Sequence, residues 1–96
     1  MLKHVVFMKF KDGSAEEDIR KLEEGLGSLP AIISEIKGYE FGRDVVHSER
    51  SYDFALVSTF DDLASMKRYQ VHPNHQAVVK IVLELCQGLL AVDFEY

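Results

Sequence analysis

The run Leu2–Phe10 carries apolar side chains front and back. Alternation along a strand sends Leu2, His4, Val6, Met8 and Phe10 one way, and Val5 and Phe7 the other. An antiparallel sheet with one solvated face normally keeps that face polar. This strand therefore asks for two covers. Helices of the same chain can supply one, and something else must supply the second.

The rest of the chain supplies the helices and three more strands. Ser14-Ala15-Glu16-Glu17 has the form of a capping box. The helix it opens places Ile19, Leu22, Leu26 and Leu29 on one face. Gly25, Gly27 and Pro30 predict a break or kink near Ser28-Leu29-Pro30, with a short continuation through Ile32, Ile33 and Ile36 and a stop at Gly38. Tyr39–His47 reads as a second strand, Ser48–Ser51 as a polar turn and Tyr52–Phe60 as a third strand, the two strands forming a hairpin. Asp61-Asp62 caps a helix over Leu63–Gln70. Pro73 turns the chain into a strongly apolar helix, Gln76–Cys86, that Gly88 ends. Leu89–Tyr96 closes as a fourth strand.

The order is β-α-β-β-α-β, an α+β, ferredoxin-like arrangement of four antiparallel strands with helices on one face. With 96 residues the chain makes a single domain, residues 1–96. Val5, Phe7, Ala55 and Val57 fall on the face opposite the helices. An exposed apolar face of that kind marks a partner surface, and the partner expected is a second copy packed sheet to sheet. A monomer with scattered exposed apolar residues is the competing reading.

The net charge is −5 and no basic run is present, which argues against nucleic-acid binding. No apolar run approaches the roughly 20 residues needed to span a bilayer. Met1-Leu2-Lys3-His4-Val5 leads straight into a strand and does not read as a signal peptide. Cys86, the single cysteine, allows no internal disulfide and points to a reducing cytoplasm.

Chemistry concentrates in Tyr69-Gln70-Val71-His72-Pro73-Asn74-His75. Pro73 suits the first position of a helix, which puts His75 in the first turn, where the dipole favours a neutral imidazole. His4 lies on the helix-facing side of the first strand. His4, Tyr69 and His75 can therefore converge between sheet and helices, with Leu22, Leu26, Ile33, Met66, Val78 and Val79 as apolar walls and His72 beside them. A few polar groups in an apolar concavity is the usual form of a small-ligand site. A histidine there takes and gives protons, and a tyrosine hydroxyl orients it or steadies an oxyanion. Two plainer readings stand beside this one: a capped corner with surface histidines, and a core histidine satisfied by a neighbour. His72 and His75 lie three apart and His4 is a conceivable third metal donor, but the set lacks what a tight three-ligand site needs, so no metal is expected. His47 reads as a solvated turn residue. No phosphate loop, Ser-His-Asp order or Cys-x-x-Cys pair is present, and no cofactor is expected.

His4-Val5-Val6-Phe7-Met8-Lys9-Phe10, Gly38-Tyr39-Glu40-Phe41-Gly42, Tyr52-Asp53-Phe54-Ala55-Leu56-Val57 and the Tyr69–His75 string resemble the stress-responsive A/B barrel (Dabb) family, across nearly the whole chain. The resemblance implies a homodimer of apposed sheets, a dimeric α/β barrel. Some relatives assemble further, and some are linked to stress tolerance. A plant polyketide cyclase of the family is similar at His4, Tyr69, His72 and His75. That similarity implies His75 as acid/base, with Tyr69 and His4 around it, in cofactor-free ring closure. On the first helix, Leu26 or a neighbour stands where the cyclase has a further tyrosine. Three roles stay open: a ligand-binding protein, a cofactor-free enzyme on a small aromatic compound, and an oligomeric stress-protection protein.

Overall fold

The computed structural model describes residues Met1–Tyr96. Four strands, β1 (Leu2–Phe10), β2 (Gly38–Arg43), β3 (Phe54–Phe60) and β4 (Cys86–Glu95), form one antiparallel sheet in the order β2-β3-β1-β4. Three helices, α1 (Glu16–Ile32), α2 (Leu63–Val71) and α3 (Pro73–Leu85), complete the chain. This is the ferredoxin-like arrangement that the strand pattern predicts. The Pro73 corner divides the second helical segment into α2 and α3.

The core lies between sheet and helices. Leu22, Leu26, Leu29 and Ile33 meet Leu2, Met8, Phe54, Leu56 and Phe60 there, all buried. α1 and α3 approach closely at Gly25, where a Cβ would come within 3.2 Å of Val78 Cγ2. A side chain at this point would need Val78 to give by a few tenths of an ångström.

Several element ends differ from the sequence reading. Ser14 does not cap α1. Gly13, at φ +77°, turns the chain so that Ser14 Oγ donates to the Lys11 carbonyl at 2.6 Å. Ala15 then stands at the N-cap without a side-chain bond, and Glu16, Glu17 and Asp18 face the positive end of the helix dipole. The break at Pro30 does not occur either. α1 runs through it, and Ile33 N–H still reaches the Leu29 carbonyl at 2.8 Å. Leu26, Leu29 and Ile33 are each 1–2 % exposed, and that burial outweighs the local cost of an interior proline.

β2 stops at Arg43 and β3 starts at Phe54, so both are shorter than the alternation suggests. Asp44 accepts from the His47 N–H at 2.7 Å, closing a turn with His47 at φ 56°. Gly88 does not end a helix. α3 passes into β4 with no intervening residue, and Gly88 pairs with Lys9 inside the strand, beside a register shift at Lys9/Phe10. No helix is long and apolar enough to cross a membrane.

On the open face of the sheet, Val5 pairs directly with Val57 and Val92, and Phe7 with Ala55 and Leu90. Directly opposed residues share a face. Phe7, Leu90, Val92 and Phe94 there are 43–60 % exposed. The apolar surface is therefore larger than Val5, Phe7, Ala55 and Val57 alone, because β4 adds three side chains to it.

Candidate functional site

One row of four side chains crosses the helix-facing side of the sheet. Tyr39 of β2 opposes Ser58 of β3, Ser58 opposes His4 of β1, and His4 opposes Asp93 of β4. Ser58 is fully buried and donates to the His4 carbonyl at 3.3 Å. His4 Nδ1 pairs with Asp93 Oδ1. An ionised carboxylate only accepts, so neutral His4 carries its proton on Nδ1 and keeps an Nε2 lone pair.

The other half of the site comes from the helical corner. His72, at φ −63° and ψ 134°, is at once the C-cap of α2 and the N-cap of α3, with Pro73 in the first helical turn. Its Nδ1 accepts from Asn74 N–H at 3.1 Å. The corner lets His75 Nδ1 donate to the Gln70 carbonyl at 3.1 Å. A carbonyl cannot donate, so this tautomer also leaves Nε2 as a base. Tyr69 is fully buried. Its ring centroid lies 4.1 Å from that of His75 and 4.9 Å from that of Phe60, and its hydroxyl is 2.7 Å from that of Tyr39.

These groups border a cavity of about 150 Å³ lined by His4, Tyr69, His75, Leu26, Val78 and Val79 among others. Leu83 and Leu89, 61 % and 42 % exposed, also line it, which puts the mouth between α3 and β4. Of the expected lining, Leu22, Ile33 and Met66 belong to the core and do not reach the cavity. His72 is taken up by capping and lies outside it as well. No three His, Cys, Asp or Glu side chains gather into a group that would hold a metal ion.

Two polar members escape the sequence reading. Asp93 lies 89 residues from His4 and appears as its partner only once the β1–β4 register is known. Tyr39 joins through sheet order, since β2 is an outer strand. A partial signal existed, in that both residues sit at alternating positions of their strands.

Burial raises the Tyr69 phenol pKa and, with Tyr69 adding to it, the Tyr39 phenol pKa. Both stay protonated hydrogen-bond donors at neutral pH. His75 is pushed below the usual histidine value of 6.5 first by burial. The Gln70 carbonyl opposes the shift, and His4 and His72 add to it. The folded state thus resists a proton that the unfolded chain accepts near 6.5. Stability is unaffected by this group well above pH 6.5 and falls as the pH drops below it, until the folded imidazole also protonates. The melting temperature should therefore decline between pH 7.5 and 5, and His75→Gln should flatten that decline. An unchanged slope in the variant would remove His75 as the cause.

The model of the stress responsive A/B barrel domain, Dabb, matches residues 2–96. The chain belongs to this family. Among its Dabb relatives, the stress-response A/B barrel domain-containing protein HS1 of Arabidopsis thaliana is 30 % identical, over 98 % of this chain and 88 % of that one. Olivetolic acid cyclase of Cannabis sativa is 26 % identical, over 97 % and 94 %. A crystal structure described as a dimeric ferredoxin-like protein of unknown function from Thermobifida fusca superposes with a TM-score of 0.90 at 30 % identity, covering 99 % of this chain and 90 % of its own.

Proposed function

We propose that this Dabb protein is a homodimer, each copy holding a small, mainly apolar ligand in the cavity beside His75. The observation that carries the reading is the fixed polarity of that cavity. His4 and His75 each spend Nδ1 on an acceptor, which leaves Nε2 as the only open imidazole position on each. A cavity of about 150 Å³ matches one aromatic ring in size. Pairing of copies through the open face, including Val5, Phe7, Ala55 and Val57, is supported by the dimeric description of similar structures.

Acid/base chemistry is a second reading, favoured by the depressed His75 pKa and by the likeness to a cyclase. In it His75 Nε2 removes a proton next to a carbonyl, the Tyr69 hydroxyl steadies the resulting oxyanion, and Asp93 holds the His4 ring in place. No cofactor is needed for such a step.

Thermal shift with single-ring phenols and arene carboxylic acids tests the reading. A ligand at a hundredfold excess over its Kd adds about 2.7 kcal/mol, a Tm rise of roughly 10–20 °C for a domain of this size. Val79→Trp should fill the cavity and erase the rise. If no single-ring ligand raises the wild-type Tm, the ligand reading fails. For the enzyme reading, His75→Ala should abolish turnover with the fold kept. Turnover that survives the change would remove His75 as the base.

A further inference from the structure

The open face of the sheet is low on one side and high on the other. Its rows, read from β2 to β4, are Gly42, Ala55, Phe7 and Leu90, then Glu40, Val57, Val5 and Val92, then Gly38, Thr59, Lys3 and Phe94. β2 gives this face glycines at either end and a carboxylate between them. β4 gives it Leu90, Val92 and Phe94, all well exposed. Where the residue 44–53 loop leaves the strands, the low side deepens into a hollow of about 430 Å³ that Gly42, Ala55, Phe7 and Leu90 help to line. A Cβ on Gly42 would meet nothing within 4 Å.

A second copy can lie on this face with its strands aligned in two senses. With the two-fold axis across the strands, at the Val5 row, β4 lies on the partner's β4 and β2 on the partner's β2. Leu90 then collides with the partner's Phe94, the glycines face each other across a gap, and Glu40 opposes the partner's Glu40. Like charges brought together in this way oppose association. With the axis along the strands, midway between β1 and β3, β4 lies on the partner's β2 instead. Leu90 then enters the hollow over the partner's Gly42, Phe7 covers the partner's Ala55, and Phe94 covers the partner's Gly38. High meets low along the whole face, as the dense packing of an interface core requires. Charge follows shape, because Glu40 comes to lie diagonal to the partner's Lys3. Neither residue enters an ion pair within its own chain.

We propose that the two-fold axis runs along the strands and that the hollow at Gly42 is the socket for the partner's Leu90. This rests on the homodimer put forward above and adds which side of one sheet meets which side of the other. It also gives the hollow an occupant, a leucine on an apolar floor that would otherwise hold water between two sheets.

A double-mutant cycle on the dimer dissociation constant, read by sedimentation equilibrium, tests the socket. Within one copy Gly42 and Leu90 stand about 14 Å apart, three strand spacings, too far to couple directly. Coupling between them therefore reports a contact between copies. Gly42→Leu fills the socket and should weaken the dimer about a hundredfold, a factor of ten at each of two equivalent contacts. The open space around Gly42 lets the monomer fold unchanged, which circular dichroism checks. Leu90→Ala empties the socket and should weaken the dimer by a similar factor. Gly42→Leu with Leu90→Ala in the same chain should return to within about tenfold of the wild type, since a leucine again meets a small residue. Losses that simply multiply in the double variant would overturn the proposal. So would a Gly42→Leu dimer as tight as the wild type or tighter, the result expected with the axis across the strands. Either outcome leaves the dimer standing, whereas a wild type that is monomeric at micromolar concentration removes dimer and socket together.

Discussion

Val5→Asp will reduce the particle from a dimer to the 10.9 kDa monomer at micromolar concentration. Val5 sits between Val57 and Val92 in the sheet register, with the Phe7–Ala55–Leu90 row beside it. A carboxylate placed there and covered by a second sheet must give up its water, and burying a charge in this way costs several kcal/mol. A loss of about 4 kcal/mol raises Kd a thousandfold. The side chain points away from the helices, so the circular dichroism spectrum should stay the same. Light scattering across a dilution series reads the outcome. A variant that stays dimeric moves the contact elsewhere on the molecule, and a monomeric wild type removes the dimer altogether.

The second large effect falls on stability. Phe60→Ala should cost about 3–5 kcal/mol of a total that for domains in general is about 5–15 kcal/mol. Phe60 is fully buried, closes the core at the end of β3, and forms the wall against which the Tyr69 ring packs at 4.9 Å. Its removal opens a void and frees the tyrosine that borders the cavity, so ligand binding should weaken along with the fold. Denaturant unfolding with an unchanged m-value measures the cost. Leu63→Ala, at a position 45 % exposed, is the comparison and should stay within about 1 kcal/mol. Equal losses at the two positions would contradict the placement of the core.

The strands and the corner were legible in the sequence because each rests on a local rule. Alternation exposes β1 as two-faced, and Pro73 after His72 can only bend the helix there. Leu26, Val78 and Val79 follow from helical spacing. What stayed hidden depends on distance along the chain. Asp93 meets His4 only through the pairing of first and last strands, and Tyr39 reaches Tyr69 only because β2 lies outside β3. Pro30 misleads for a related reason, since the leucines that keep α1 helical through Ile32 act through the sheet. Val45 and Val46 continue the alternation of β2 in sequence, but the Asp44–His47 turn carries them off the sheet, where they are 86 % and 71 % exposed.

β4 follows α3 without a spacer. Its Leu89 and Asp93 look inward toward the cavity and His4, while Leu90, Val92 and Phe94 look outward. A single ribbon thus lines the cavity with one side and carries the open apolar face on the other. The Asp93 carboxylate and the apolar outer side chains therefore hang on one backbone, and a slip of β4 by one residue against β1 would turn every one of them to the wrong side.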